Sequence, residues 1–157
     1  MKIKFITIGK TSKKYLKEGE DDFIKRLKHY CSLEIIELKD IYNSSTLSHD
    51  LLKKAEYEQI LKHLNKNDFI ILLDEKGKMF RSKEFANFIE NKQLESVQTI
   101  VFIIGGAFGF FQDLYPKSNF ILSLSSMTFS HQMIRVIFLE QLYRAFTIIK
   151  GEKYHHE

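Results

Sequence analysis

The chain has 157 residues with 24 lysines and arginines against 20 aspartates and glutamates, a formal net charge of +4 and a hydrophobic fraction of 44%. This composition excludes an intrinsically disordered chain, and no apolar run reaches the roughly 18 residues of a membrane span. The single cysteine excludes an intrachain disulfide, and the apolar N-terminal segment is too short for a secretory signal, so we expect a cytoplasmic protein.

Five segments have the apolar pattern of β-strands. They span residues 2–8, 33–38, 68–73, 99–104 and 120–124. Asp74 and a turn at Gly77 are predicted to end the third strand, and Gly105 with Gly106 to end the fourth. Three of these segments are continuously apolar, which is typical of strands covered on both faces of a sheet.

Helical periodicity fills the intervals between these strands. We predict a helix capped by Ser12 that ends near residue 30, and others at about residues 49–64, from Ser82 onward, at 112–115 and at 133–146. A polar loop is expected at residues 39–48. Because strands and helices alternate, the sequence predicts one α/β domain over residues 1–157, with a mostly parallel sheet and helices on both faces. Such sheets bind ligands beyond the carboxyl ends of their strands.

Two strand-end loops are rich in glycine. Gly9-Lys10-Thr11 resembles the end of a phosphate-binding loop, but Lys4 stands where that motif needs its first glycine, which disfavours a nucleoside triphosphatase. Residues 105–109 lack the spacing of a dinucleotide-binding fingerprint. They suit a ligand loop and a tight structural turn equally well.

A third loop follows the fifth strand and is rich in hydroxyl groups. Its serines and threonine alternate with Met127 and Phe129, which suits a half-apolar slot such as one for a purine. Thr128 or Ser130 could instead cap the helix that follows. His131 lies at the positive end of that helix and is expected to be neutral, either as a base or simply as a packed side chain.

The last helix is apolar on nearly all sides, which predicts that more than one neighbour covers it. One cover can be the sheet and the other a second copy of the chain. Arg135 and Arg144 interrupt the apolar surface, and arginines in such places pair with a carboxylate or with phosphate. Glu140 and Arg144 have the spacing of a helical ion pair.

The tail carries Tyr154, His155 and His156. An aromatic ring beside two histidines can stack on a base and bond to it, whereas most tails fray. Adjacent histidines without a third ligand do not indicate a metal site. Cys31 is expected to be a small core residue rather than a nucleophile.

Three motifs belong together: residues 104–109 after the fourth strand, the segment LSLSSMTFSHQMIRVIFLEQLYRAF at residues 122–146, and the tail Tyr154-His155. In combination they resemble the RlmH family, SPOUT-class methyltransferases that act on 23S ribosomal RNA. Ile8-Gly9-Lys10 and Gly77-Lys78 support this resemblance, which extends over essentially the whole chain.

The resemblance implies a C-terminal trefoil knot, a homodimer whose interface includes the last helix, and S-adenosylmethionine as the cofactor. It implies methyl transfer to N3 of a pseudouridine in 23S ribosomal RNA of the assembled ribosome. The resemblance implies neither a bound metal ion nor an association with a membrane. The implied cofactor residues are Leu73, Gly105, Leu124, Ser125, Ser126, Met127, Thr128 and Phe129.

The reaction also needs groups on the substrate side, because N3 must lose its proton. We expect Tyr154 and His155 to contact the substrate, with His131 as a second catalytic candidate. The candidates for RNA binding are Arg135, Arg144 and Lys153.

The sequence departs from the family pattern at three places. Ser130 replaces a common proline, the glycine-rich loop carries three phenylalanines, and His156 replaces an arginine or lysine. Two other functions remain open: a SPOUT methyltransferase with another RNA target, and a flavodoxin-like module that binds the ribosome without catalysis.

Overall fold

A five-stranded sheet forms the centre of the protein in the computed structural model, which describes residues 1–41 and 47–156. The strands are β1 (Lys2–Ile8), β2 (Ser32–Leu38), β3 (Phe69–Met79), β4 (Thr99–Ile104) and β5 (Phe120–Ser123). The helices are α1 (Lys14–Leu27), α2 (His49–Leu61), α3 (Ser82–Leu94) and α4 (Met133–Ile149), with a 3-10 helix at Gln112–Lys117. Within the described residues the strand order is β2-β1-β4-β3-β5, and all neighbouring strands are parallel. Residues 42–46 of the predicted polar loop lie outside the described part.

Alternate side chains of the central strands serve two separate cores, one on each face of the sheet. On the first face, Phe138 of α4 packs between Phe5 and Phe102, with ring centroids 4.7 Å from each, and α1 and α3 complete this core. On the second face, Ile60 of α2 and Leu114 of the 3-10 helix cover the sheet. The predicted α/β class with helices on both faces is therefore confirmed.

The continuous apolar surface of α4 is covered within the chain itself. The helix packs against α1, α3 and the sheet, and Gly19 of α1 lets the backbone approach Val136 closely. None of the large apolar side chains of α4, all within the described residues, is exposed. Helices α1 and α3 thus cover much of the α4 surface for which the sequence predicted a second neighbour. No described helix combines the length and the apolar character that a membrane crossing requires.

The predicted cap of α1 is wrong, whereas Ser130, one of the two residues predicted to cap α4, does bond to the start of that helix. Ser12 does not cap α1; its hydroxyl and backbone N–H lie 3.2 and 3.0 Å from Oε1 of Gln132, just before α4. Ser130 accepts a hydrogen bond from the backbone N–H of Met133 at 3.2 Å, so the hydroxyl group does support the start of α4. Gln132 and Ser12 therefore join the starts of α1 and α4.

The prediction that β3 ends at Asp74 was wrong. The strand continues to Met79, and after an irregularity between Leu73 and Lys78 it pairs again with β5. Its second half is polar because it extends beyond the apolar core, and the sequence pattern therefore indicated a turn. Gly77 lies against β5 so closely that a Cβ would lie 2.6 Å from the carbonyl oxygen of Ile121.

A buried carboxylic acid lies on the second face of the sheet. Glu56 of α2 is 6% exposed, and its Oε1 lies 2.6 Å from the position that a Cβ on Gly106 would occupy. Burial, and to a smaller extent the charge of Asp40, raises the pKa of Glu56 to about 7. The neutral form is favoured because a buried carboxylate loses its hydration.

We predict that Gly77→Ala destabilises the protein by about 2–3 kcal/mol, because the new methyl group would collide with the β5 backbone. Gly19→Ala is the matched control. Its methyl group meets only the Val136 side chain, and the gain in helix propensity offsets that contact. Urea unfolding measures both variants; equal effects would contradict the assigned strand contact.

We predict that Glu56→Gln is more stable than the wild type by about 1–2 kcal/mol at pH 8 and nearly equal to it near pH 4.5. The folded pKa of Glu56 is raised from 4.5 to about 7, so the folded state binds more protons than the unfolded state in this window. Wild-type stability therefore falls as the pH rises through the window. Urea unfolding at the two pH values tests this, with the exposed Glu58→Gln as control. A difference independent of pH would contradict the raised pKa.

Candidate functional site

A cavity of about 720 Å³ opens at the carboxyl edge of the sheet, where the sequence predicted a ligand site. Its walls are the end of β3, the glycine loop (residues 105–111), the hydroxyl segment (residues 123–130) and Lys53 of α2. Ser126 does not line the cavity, but the seven other residues implied for the cofactor do. These are Leu73, Gly105, Leu124, Ser125, Met127, Thr128 and Phe129.

The glycine loop folds back on itself at the cavity. The backbone N–H of Gly109 donates to the carbonyl of Gly106 at 3.2 Å, and Gly109 has a φ of +81° that favours glycine. A Cβ on Gly105 would lie 3.1 Å from the Gly109 carbonyl carbon. The loop is thus a tight turn and a cavity wall at once, which reconciles the two interpretations of its sequence.

The phenylalanines of the glycine loop attach it to α2. Phe108 stacks on His49 with ring centroids 3.7 Å apart, and Phe111 packs against Tyr57 at 5.4 Å. Phe110 is buried in the second core. The aromatic character that departs from the family pattern therefore fixes the position of the loop.

Hydrogen bonds within the hydroxyl segment define its course. The Ser123 hydroxyl donates to the Ser125 carbonyl at 2.9 Å, and the Ser125 hydroxyl accepts from the N–H of Met127 at 2.9 Å. The turn leaves Met127 75% exposed and Phe129 41% exposed at the mouth of the cavity. Apolar and hydroxyl groups thus share this wall, as a half-apolar ligand requires.

The acidic groups of the cavity are held by neutral donors. The hydroxyl of Tyr115 and the backbone N–H of Lys76 donate to Asp74 at 2.6 and 2.9 Å. Burial and this carboxylate raise the pKa of Tyr115. The Thr128 hydroxyl donates to Glu75 at 2.9 Å, which joins the hydroxyl segment to β3.

Sequence reasoning missed Tyr115 and Lys53 as residues of the cavity. A single polar side chain on a helix gives no periodic signal, and no spacing rule links either residue to the loops that it joins. Only the packing of α2 and of the 3-10 helix against the glycine loop brings them to the same place.

His131 lines the cavity just before α4. Burial lowers its pKa, and the positive charge of Arg135 lowers it further, against a weaker opposite effect of Asp40. The ring is therefore neutral at pH 7, as predicted, although the main cause is lost hydration rather than the helix dipole.

Arg135 is only 1% exposed, which contradicts its predicted contact with RNA. Its guanidinium donates to the carbonyl oxygens of Ile8, Gly9 and His131 at 2.6, 2.9 and 3.0 Å, and to the Thr11 hydroxyl at 3.1 Å. These groups occupy the guanidinium within the chain, so it holds the end of β1 against α4.

A second polar group, the tail cluster, consists of Glu140, Arg144, Tyr154 and His155. Glu140 accepts two hydrogen bonds from Arg144, at 3.0 and 2.6 Å, and one from the Tyr154 hydroxyl at 3.2 Å. Nδ1 of His155 lies 3.3 Å from Nη1 of Arg144, whose guanidinium also stacks over the Tyr154 ring at 4.7 Å. The predicted Glu140–Arg144 pair is therefore present, and it orders the tail.

The tail cluster does not reach the cavity of its own chain. Ile134 lines the cavity, and Arg144 lies ten residues further along α4, about 15 Å along the helix axis. Lys153 beside the cluster is exposed. Among residues 1–41 and 47–156, no group of three histidine, cysteine or acidic side chains could hold a metal ion.

Comparison with known proteins identifies relatives of full length. The chain matches the family described as predicted SPOUT methyltransferase over residues 1–155. It is 50% identical over 156 residues to the ribosomal RNA large subunit methyltransferase H of Cytophaga hutchinsonii, which covers 99% of this chain and 100% of the relative. The protein of the same name from Flavobacterium psychrophilum is 47% identical over 157 residues, with 100% of both chains covered.

One solved structure resembles the fold. The probable methylase family protein from Haemophilus influenzae has a TM-score of 0.51 and 12% identity, with 99% of this chain and 70% of that chain covered. At this identity the likeness concerns the fold alone, and with the family match it supports the knotted α/β arrangement that the resemblance implied. The chain belongs to the SPOUT methyltransferase family.

Proposed function

We propose that this protein transfers a methyl group from S-adenosylmethionine to ribosomal RNA of the large subunit. The observation that carries the proposal is the cavity at the carboxyl edge of the sheet, lined by seven of the eight residues that the resemblance assigns to the cofactor. The names of the relatives at 50% and 47% identity point to the same substrate class. We also propose a cytoplasmic location, because that is where a ribosomal substrate is found.

The cavity residues fit this cofactor. A volume of about 720 Å³ is within the usual range for small-molecule sites, and Leu73, Ile104 and Leu122 offer an apolar surface for the adenine ring. Gly105 allows the glycine loop to fold tightly, since a Cβ there would lie 3.1 Å from the Gly109 carbonyl carbon, and this fold places backbone groups of the loop at the cavity wall. No pyrophosphate has to be bound, which agrees with the absence of a dinucleotide fingerprint from the sequence.

The bound cofactor supplies an electrophilic methyl group on sulfur. The chain has to align the acceptor nitrogen with that methyl group and help to remove the proton from it. Tyr154 and His155 are proposed to contact the base, and Glu140 holds the guanidinium group of Arg144 beside them. His131, neutral at the cavity wall, is the second candidate to accept the proton.

The finer assignment is N3 of a pseudouridine in 23S ribosomal RNA on the assembled ribosome, as the family resemblance implies. We propose that Lys153 and Arg144 contact the RNA backbone. Arg144 belongs to the tail cluster, and Lys153 beside that cluster is exposed. The mild net charge of +4 allows such contacts to steer the protein to RNA.

A homodimer is proposed because the tail cluster and the cavity lie about 15 Å apart along α4 of one chain. Two copies related by a two-fold axis can place the tail cluster of each beside the cavity of the other. Met127 and Phe129 at the cavity mouth, 75% and 41% exposed, offer apolar surface for that contact. Each complete site then contains residues from both chains.

We predict that His155→Ala lowers the single-turnover rate of ribosome methylation at least about 100-fold while S-adenosylmethionine binds normally. The measurement combines methyl transfer to assembled ribosomes that lack the modification, mapping of the methylated nucleotide, and calorimetry. His156→Ala is the control, because this neighbouring ring is exposed.

Full single-turnover rates in both His155→Ala and His131→Ala would refute the catalytic assignment. Methylation of a different nucleotide would replace the proposed target by another RNA. Absence of cofactor binding in the wild type would favour a non-enzymatic ribosome-binding module.

We predict that two inactive variants, Gly105→Val and His155→Ala, restore activity when they are co-expressed. The first displaces the glycine loop that forms the cavity wall, since even a Cβ would lie 3.1 Å from the Gly109 carbonyl carbon, and the second alters the tail cluster. Random pairing makes half of the dimers mixed, each with one intact site, so about one quarter of wild-type activity is expected. Co-expression of two differently tagged Gly105→Val chains is the control. A mixture as inactive as its parents would mean that each site lies within one chain.

A further inference from the structure

Lys53 is the residue of the cavity that neither the sequence pattern nor the family resemblance explains. It lines the cavity from α2, on the side formed by the glycine loop. Its side chain is 24% exposed, so the protein covers most of its surface. A partly covered cation at a ligand cavity is stabilised by an anionic partner.

The partner that the chain provides is weak. Asp50, one helical turn earlier, approaches the ammonium nitrogen of Lys53 only to 3.5 Å, and its own side chain is 87% exposed. Ion pairs with so exposed a partner contribute little, and a second carboxylate can replace the first at small cost. Lys53 is thus available to an anion that enters the cavity.

The other charged groups of the cavity suit this role less well. Asp74 and Glu75 are anions engaged by Tyr115 and Thr128. His131 is neutral, because its pKa is lowered. Lys76 is exposed to solvent and lies next to Asp74 and Glu75 in the chain, so it suits an anionic ligand less well than Lys53 does.

Aromatic contacts position α2, and with it Lys53, against the glycine loop. On the same face of α2, His49 stacks on Phe108 at 3.7 Å and Tyr57 packs on Phe111 at 5.4 Å. Between them, Glu56 lies against Gly106. The helix is therefore attached to the glycine loop on both sides of Lys53, and these contacts hold the backbone of Lys53 beside the cavity that its side chain lines.

We propose that Lys53 binds the α-carboxylate at the methionine end of S-adenosylmethionine. This inference rests on the proposed function, since it assigns one further residue to the same cofactor. The cofactor has a single anionic group, and Lys53 is the one largely covered cation in the described lining of the cavity. A charge-assisted hydrogen bond there fixes the end of the cofactor opposite to the adenine ring.

Decarboxylated S-adenosylmethionine isolates the contact, because it keeps the adenosine, the sulfonium and the amino group but lacks the carboxylate. Calorimetry on the wild-type protein is expected to give an affinity about tenfold to hundredfold higher for S-adenosylmethionine than for the decarboxylated compound. Lys53→Met is expected to lose this preference, by weaker binding of S-adenosylmethionine and unchanged binding of the other ligand. Lys53→Arg keeps the charge and is expected to retain most of the preference.

Lys54→Met is the matched control, because Lys54 is exposed on the neighbouring position of α2 and does not line the cavity. Equal loss of affinity for both ligands in Lys53→Met would show that Lys53 supports the wall rather than the carboxylate, and would overturn the inference. A wild-type protein that binds both ligands equally would overturn the inference but leave the proposed function intact. A wild-type protein that binds neither would overturn both.

Discussion

The guanidinium of Arg135 holds together the parts of the chain that form the cavity. A buried arginine is stable only when its donors are satisfied, and here carbonyl oxygens at the end of β1 and before α4 accept them. The preceding residue, Ile134, lines the cavity, and the hydroxyl segment ends four residues before it. The position of that wall therefore depends on one charged side chain that never meets the ligand.

The sequence contained enough information to predict the sheet and the place of the cavity. Continuous apolar strands separated by glycine or hydroxyl loops indicate a parallel sheet, and the ends of such strands meet at one edge. The second half of β3 could not be predicted, because Lys78 and Met79 return to β5 through backbone pairing that leaves no apolar pattern in the sequence. The role of Arg135 could not be predicted either, since its partners are main-chain oxygens that leave no signature in a sequence.

The apolar surface of α4 shows how one pattern can have two causes. Its apolar residues suggested a second subunit, yet α1 and α3 already cover them. The feature that favours two chains is instead the distance between the cavity and the tail cluster. That distance follows from the helix itself, because α4 begins at the cavity and Arg144 of the tail cluster lies near its other end.

The position of Phe138 between Phe5 and Phe102 also has a consequence for biosynthesis. The first core joins β1 to α4, which follows all five strands in the chain, so it cannot close until α4 has left the ribosomal exit tunnel. Until then α1 and α3 cover this face of the sheet only in part, and the apolar side chains that α4 will contact remain open to chaperones. The synthesis of α4 is thus the step that completes the first core of the sheet.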